Sequence, residues 1–207
     1  MQNISNQIRY EIINKQKGKI FFLNDFEKFG NKNAIRQTLF RLCNESFLIR
    51  LSAGIFLYPK TDKYIGTIYP SIEEIAKEIA KREKARLIPT GVYALNALGL
   101  STQMPMRVVF LTDGTPRIIN IEGKASLKFK KTIPKYLALR GKITTLVIFA
   151  MKEIGKSQIS EEHLSKIKKI LEKEEIKNIE HDVKLAPEWI ATTILKLINN
   201  DKLSKET

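Results

Sequence analysis

The sequence predicts an α+β protein in which a helix-rich amino-terminal domain precedes a mixed α/β domain with a small antiparallel sheet and several helices. Two observations support this fold class. Apolar residues recur at helical spacing in some segments and alternate with polar residues in others. A polar stretch between Pro59 and Pro70 indicates a linker, which predicts domains at 1–69 and 70–207.

Composition excludes several protein classes. A single cysteine, Cys43, cannot form an intramolecular disulfide framework and suits a reducing compartment. The segment 1–10 is polar, which argues against a secretory signal. The longest apolar patch, 143–151, is too short to cross a bilayer, so we expect no membrane partner. These features predict a soluble cytoplasmic protein.

The net charge is strongly positive. The chain carries 36 Lys and Arg against 22 Asp and Glu, a formal charge of +14. The excess is concentrated in residues 1–70 and 117–142, and the second stretch has eight basic residues and one acidic residue. A polyanion is therefore the first partner to test, although a lysine-rich surface that only solvates the protein is the alternative.

The first 60 residues predict a recognisable order of elements. In sequence these are a helix over 4–16, a short β run at 20–23, a short helix ending at Phe29, a helix from about Lys32 to Ser46, and strands at 47–51 and 55–58. The last two strands are joined by Ser52-Ala53-Gly54, a hairpin signal. A helix, a turn, a helix and a hairpin in this order are typical of a winged helix-turn-helix.

The helix at 32–46 has two distinct faces when residues advance by about 100°. Ile35, Leu39 and Leu42 fall in the sector that faces the core, together with Cys43, which we interpret as a small core residue. Asn and Gln on the opposite sector can pair with adenine edges, and Arg can bond guanine or phosphate. A solvated helix face is the alternative. The candidate DNA-binding residues on this helix are Lys32, Asn33, Arg36, Gln37, Phe40, Arg41 and Asn44.

Three further cations are candidates for phosphate contacts, which position a protein on DNA without reading its sequence. Arg50 lies in the first strand of the hairpin, and Lys17 and Lys19 follow the first helix. Each of them is equally compatible with an ordinary surface position.

The segments 48–59 and 93–105 carry a family resemblance. The first, LIRLSAGIFLYP, resembles the winged helix of AbiEi-type antitoxins of bacterial abortive-infection, type IV toxin–antitoxin systems. The second, YALNALGLSTQMP, is similar to a run that follows this domain in relatives of those antitoxins, and Phe110–Gly114 fits as well. The resemblance implies a regulator that represses its own promoter and a carboxyl-terminal domain that opposes a nucleotidyltransferase-like toxin. Its expected partner is duplex operator DNA with inverted repeats.

In the second domain, the residue pattern predicts β-strands at 107–111, 117–121 and 126–130, with a hairpin turn at Asp113-Gly114. Alternation places Leu127 and Phe129 on one strand face and Lys128 and Lys130 on the other. Two interpretations stay open for the basic segment, a solubilising surface and a polyanion or antitoxin site. Its candidate residues are Lys124, Lys128, Lys130, Lys131, Lys135, Arg140 and Lys142.

The sequence predicts no enzyme. His163 is expected on a charged helix and His181 in a polar loop, and neither has a partner at metal-ligand spacing, so we predict no metal site and no cofactor. The preferred function is a DNA-binding regulator that is also an antitoxin. The alternative is an RNA- or toxin-binding adaptor that uses the basic second domain, with the winged helix as an interaction module.

Overall fold

A computed structural model describes residues 3–103, 105–122 and 126–204. The chain divides into two compact units. Unit one comprises Met1–Ile79 and Ile119–Lys124, and unit two comprises Ala80–Ile118 and Ala125–Thr207. The change of unit after Ile79 lies ten residues beyond the predicted boundary at 69/70, and the segment 119–124 returns to unit one although the prediction placed it in the second domain.

Unit one begins with helices that surround a small sheet. Its first elements are α1 (Ile4–Ile13), β1 (Ile20–Phe22), a 3-10 helix (Leu23–Phe29), α2 (Lys32–Asn44), β2 (Ile49–Ser52) and β3 (Ile55–Leu57). The strands form an antiparallel sheet in the order β1-β3-β2, with Phe56 between Phe21 and Arg50. Ile8, Phe26 and Leu39 are fully buried in the core beneath it. The predicted order of helices and strands is confirmed here.

The segment predicted as a linker is a hairpin. Strands β4 (Lys60–Asp62) and β5 (Gly66–Ile68) pair antiparallel, with Thr61 opposite Thr67. The turn forms because the Asp62 carboxylate accepts backbone hydrogen bonds from Tyr64 at 2.8 Å and Ile65 at 3.2 Å. These hydrogen bonds also lower the pKa of Asp62. The linker prediction is therefore wrong for residues 60–68.

Helix α3 (Ile72–Arg82) follows the hairpin. Its first turn carries reciprocal capping bonds: the Ser71 hydroxyl accepts from the Glu74 backbone at 3.1 Å, and the Glu74 carboxylate accepts from the Ser71 backbone at 2.7 Å. The residue pattern Ser-x-x-Glu predicted this capping box, and it is confirmed.

Unit two contains a mixed sheet. Its strands are β6 (Leu87–Pro89), β7 (Arg107–Thr112), β8 (Arg117–Asn120), whose last two residues fall in the segment assigned to unit one, and β9 (Ser126–Lys131). Their order is β6-β7-β9-β8, and α4 (Gly91–Ala97) follows β6. Strand β7 pairs antiparallel with β6 and parallel with β9. The antiparallel sheet expected from sequence is thus a mixed one.

The predicted hairpin between β7 and β8 is wrong, because β9 lies between these strands. Asp113, at the expected turn, instead accepts hydrogen bonds from the backbone of Arg86 at 2.7 Å and from its guanidinium Nε at 2.9 Å. These bonds hold the end of β7 against the residue that precedes β6. They also lower the pKa of Asp113.

The rest of unit two is helical. It contains α5 (Pro134–Leu137), α6 (Lys142–Ile154), α7 (Glu161–Leu171), α8 (Ile176–Val183) and α9 (Glu188–Ser204). Helix α8 includes His181, so the prediction of a loop at this residue is wrong. A short helix forms here because Ile179 and Val183 are buried on one face. One hydrophobic core of this unit contains Ile179 together with Val147, Met151, Ile167 and Ile190. Among the described residues, no helix combines the length and the apolarity needed to cross a membrane.

Candidate nucleic-acid interface

Helix α2 carries the polar face that the sequence singled out. The helix begins at Lys32, after Asn31, whose side-chain oxygen accepts the backbone hydrogen bond of Ala34 at 2.9 Å. Every candidate residue on the outer face is exposed, and Phe40 is 59% exposed. The exposed set is Lys32, Asn33, Arg36, Gln37, Phe40, Arg41 and Asn44.

The opposite face of α2 fixes the orientation of the helix. Ile35, Leu39 and Leu42 are at most 1% exposed and belong to the core of unit one. Burying three large aliphatic side chains along one stripe leaves the helix a single stable orientation, which turns the polar face outward. The predicted division of the two faces is confirmed.

Cys43 lies at the edge of this core and is half-buried. Burial raises the pKa of its thiol, which the charge of Arg50 opposes and the charge of Glu122 reinforces. A thiol with a raised pKa stays protonated and is a poor nucleophile. This supports the interpretation of Cys43 as a packing residue.

The acidic residue that follows α2 in the sequence is ion-paired. Glu45, just beyond α2, forms an ion pair with the guanidinium of Arg9, which also lies 4.4 Å above the ring of Phe47. Within α2 itself there is no Asp or Glu. The outer face therefore presents amides, guanidinium groups and one exposed ring, with no carboxylate that would repel phosphate.

Arg50 is less available than the other predicted phosphate contacts. Its Nε lies 3.6 Å from a carboxylate oxygen of Glu122, in the segment 119–124 that returns to unit one. Since both side chains are about half exposed, the pair is a weak surface ion pair. A phosphate would have to compete with Glu122 for this guanidinium.

Lys17 and Lys19 are exposed and flank Gly18 between α1 and β1. The Gly18 backbone donates to the Tyr58 carbonyl at 2.7 Å, and the Tyr58 backbone donates to the Lys19 carbonyl at 2.9 Å. Gly18 has φ +91°, a left-handed conformation that favours glycine, and a Cβ atom added to it would lie 4.0 Å from the Cβ of Lys60. Three lysines, Lys17, Lys19 and Lys60, thus surround one end of the sheet.

The predicted cations of the basic segment lie on several elements. Lys128 and Lys130 share one face of β9, opposite the buried Leu127 and Phe129, as predicted. The Lys131 amine instead donates to the backbone carbonyl of Asp113 at 2.9 Å. The other predicted cations lie on separate elements: Lys135 in α5, and Arg140 and Lys142 on either side of Gly141 at the start of α6. Lys124 lies outside the described residues.

The structure adds two cations that sequence reasoning missed. Arg107 on β7 and Lys152 on α6 line the same cleft as Lys128 and Lys130. The alternation of side chains along β7 indicates the position of Arg107, because it places this residue on the same face of the strand as Val109. Nothing local relates Lys152 to these strands, since it lies on a helix that follows them.

Each of the two histidines contacts the side chain of a nearby residue. The His163 ring nitrogen Nδ1 lies 3.1 Å from the Ser160 hydroxyl at the start of α7, and His181 Nδ1 lies 2.9 Å from the Asp182 carboxylate. In the part of the chain that the structure describes, no three His, Cys, Asp or Glu side chains are grouped closely enough to hold a metal ion.

The chain matches a protein-family model. Residues 7–179 match the family described as "Family of unknown function (DUF6088)". No curated protein matches the chain.

Proposed function

The chain belongs to the DUF6088 family, and we propose that it is a DNA-binding transcriptional regulator whose α2 reads the major groove of an operator. The proposal depends on one observation: the outer face of α2 is exposed, polar and free of carboxylates, while the opposite face is fixed in a core. A helix held rigidly by one face can offer the other to a groove about 12 Å wide without first having to become ordered.

The side chains on this face suit base recognition. Asn33, Gln37 and Asn44 carry amides that can bond both edge groups of adenine, and Arg36 can bond guanine in a bidentate manner. Phe40, 59% exposed, can contact a thymine methyl group. The face runs from Asn33 to Asn44, a length of about 16 Å at 1.5 Å per residue, enough to follow several base pairs.

The neighbouring elements support the winged helix-turn-helix interpretation. A 3-10 helix and a turn precede α2, and the antiparallel strands β2 and β3 follow it in a sheet completed by β1. In winged helix proteins this arrangement places the second helix of the motif in the groove and the first across the backbone. Lys17 and Lys19 are the candidates for phosphate contacts.

We further propose that the regulator represses its own promoter and acts as the antitoxin of an AbiE-like type IV pair. This part of the proposal is supported by the similarity of residues 48–59 and 93–114 to AbiEi-type antitoxins and their relatives. Its partner would be a nucleotidyltransferase-like toxin, opposed without a stable complex.

The DNA-binding proposal is tested with duplexes selected from a random library by the full chain. On the selected duplex, Arg36→Ala and Gln37→Ala should each weaken binding by about 1–3 kcal/mol, measured by fluorescence anisotropy at one fixed salt concentration. Affinity for an unrelated duplex should fall much less, because base contacts supply specificity. A reporter fused to the DNA upstream of the chain's own gene should be repressed by the wild type and released by Gln37→Ala.

Matched controls come from unit two. Gln158→Ala removes an exposed amide and Lys156→Ala an exposed cation, both distant in sequence from α2, and both should leave affinity for the selected duplex unchanged. If Arg36→Ala and Gln37→Ala bind the selected duplex as tightly as the wild type, α2 is not the reading helix and the proposal is wrong.

A further inference from the structure

Unit two contains a cleft with a volume of about 490 Å³, bounded by β7, β9, the start of α4 and the end of α6. This volume falls within the range of about 300–1,000 Å³ that is usual for small-molecule sites. All the residues that line it belong to unit two, so its ligand is a separate question from DNA binding by α2.

The parallel pairing of β7 and β9 determines which side chains line the cleft. Val109 lies opposite Lys128, and Leu111 lies opposite Lys130. Partners in register point to the same side of a sheet, so two lysines and two aliphatic residues alternate across one surface. The other side of the sheet is closed, because Val108, Phe110, Leu127 and Phe129 are buried there.

The charge in the cleft is unbalanced. Four cations line it, Arg107, Lys128, Lys130 and Lys152, against a single carboxylate, Glu153. Among the described residues, no ion pair is formed by Lys128 or Lys130. Arg107 and Lys152 have neutral partners: the Arg107 Nε lies 3.4 Å from the Ser126 hydroxyl, and the Lys152 amine donates to the Tyr136 hydroxyl at 2.8 Å.

Four positive groups with a single carboxylate among them repel one another, and an anion with several charges relieves that repulsion. A phosphate chain has this property, and its oxygens accept hydrogen bonds from ammonium and guanidinium groups. The cations therefore indicate a ligand with two or more phosphate groups.

The remaining walls indicate a second chemical part of the ligand. Val109 and Leu111, both half-buried, provide an apolar surface, and behind it the Phe149 ring is held in a core with Ala94 and Ala150. Inorganic phosphate gains nothing from such a surface, whereas an aromatic base buries its face against it. Glu153 lies beside Gly91, where its carboxylate can accept hydrogen bonds from sugar hydroxyls.

We propose that this cleft binds a nucleoside 5′-polyphosphate, with its phosphates against Lys128 and Lys130, its base against the apolar wall, and its ribose toward Glu153. No covalent step is implied. The ligand gives a regulator with a DNA-reading unit a second input, in a unit that does not contain α2.

The test is calorimetric titration of the full chain with ATP and CTP, and with adenosine and inorganic triphosphate as partial probes. At least one of the two nucleotides should bind, and its affinity should exceed that of inorganic triphosphate by about tenfold or more, since only the nucleotide meets both parts of the cleft. The affinity of adenosine should be no higher than that of inorganic triphosphate.

The double variant Lys128→Ala/Lys130→Ala should lower nucleotide affinity on the order of tenfold or more. The matched control Lys156→Ala/Lys169→Ala removes the same charge from exposed positions of the same unit and should bind nucleotide as the wild type does. Because both mutated strand lysines lie on the open face of β9, the melting temperature of the double variant should match that of the wild type, which shows that the fold is intact.

Three results would overturn the proposal. The first is that neither nucleotide binds the wild type; the second is that triphosphate binds as tightly as nucleotide. The third is a folded double variant that keeps wild-type nucleotide affinity. A random-sequence duplex that loses affinity in the double variant, with no nucleotide bound by the wild type, would make the cleft a nucleic-acid surface instead.

Discussion

Glu174 and Asp182 place two carboxylates at the amino-terminal end of α6, which has no side-chain cap of its own. The Asp182 carboxylate, fully buried, accepts the backbone hydrogen bonds of Arg140 at 2.9 Å and Gly141 at 2.8 Å. Glu174 Oε2 accepts those of Ile143 at 2.9 Å and Thr144 at 3.4 Å. The N–H groups of Gly141, Ile143 and Thr144 at the helix end are therefore satisfied by carboxylates from distant residues, and these carboxylates balance the partial positive charge there.

This arrangement lowers the pKa of the Glu174 carboxyl. Burial by itself raises the pKa of this carboxyl, but hydrogen bonds from the Asn178 side chain and from the backbones of Ile143, Thr144 and Glu175 outweigh burial and leave the pKa lowered. A carboxyl with a folded-state pKa below its unfolded-state value stabilises the fold above the unfolded-state pKa. That contribution disappears as the pH falls through the folded-state pKa.

We therefore expect Glu174→Gln to lower the free energy of unfolding most near neutral pH, and the difference from wild type to shrink below about pH 4. Urea denaturation at a series of pH values measures this. Glu172→Gln, which removes a charge from an exposed position at the end of α7, serves as the control and should show no comparable pH-dependent difference. A Glu174→Gln difference that stays constant from pH 7 to pH 3 would contradict a role for the carboxylate charge.

At the scale of the element, the residue that caps α2, Asn31, both stabilises the helix and lies next to the proposed DNA contact. The Asn31 side chain satisfies the Ala34 N–H in the first turn of the helix, directly beside the exposed Lys32 and Asn33. In helix-turn-helix proteins the first residues of the reading helix approach the bases. Substitutions at Asn31 can thus separate the folding of the helix from its contact with DNA.

Asn31→Ala should destabilise the chain by about 1 kcal/mol, because one N–H loses its acceptor. Asn31→Asp should keep the stability, since a carboxylate caps equally well and is favoured by the helix dipole. The same Asp should nevertheless weaken binding to the selected duplex, because it adds negative charge near phosphate. Denaturation and anisotropy on the two variants measure the two effects; undiminished DNA binding by a stable Asn31→Asp would argue against the amino-terminal end of α2 at the groove.

The elements that sequence predicted well are those governed by local spacing. The faces of α2 and the capping box at Ser71 and Glu74 depend on residues within one or two helical turns, so the pattern is sufficient. Pairing between distant strands is different. Nothing in residues 107–131 alone states that β9 lies between β7 and β8. Asp113, which predicted a local turn, bonds Arg86, 27 residues earlier in the chain. The hairpin at 60–68 was missed because both of its strands are short and polar.

The candidate sites follow the same rule. The cations of α2 and the pair Lys128 and Lys130 were predictable, because each set lies on one element with a known period. The cleft was not, because Arg107 comes from β7 and Lys152 from the end of α6, and only the folded unit brings them to Lys128. Lys131, which belongs to the same predicted basic set, donates its amine to the backbone carbonyl of Asp113.

At the scale of the whole molecule, the segment 119–124 departs most from the predicted arrangement of two domains that follow one another along the chain. It belongs to unit one, although 39 residues of unit two, Ala80–Ile118, precede it. Within it, Ile121 is only 3% exposed, and the Glu122 backbone donates to the Leu51 carbonyl at 2.9 Å. Unit one is thus completed by residues that a fragment ending at 69 or 79 lacks.

This predicts a local loss of stability from a substitution far along the chain. Ile121→Ala should lower the stability of unit one by about 2–5 kcal/mol, the usual result of truncating a buried isoleucine to alanine. Hydrogen exchange on the full chain should show faster exchange of the core amides in α1, α2 and β3, while amides of α6 and α7 keep their wild-type rates. Ile118→Ala is the matched control, because Ile118 lies three residues earlier and is 52% exposed, so its truncation should leave exchange in unit one unchanged. Equal acceleration in α1 and α6 after Ile121→Ala would instead mean that the two units unfold together, and no acceleration in α1 or α2 would remove the segment from the core of unit one.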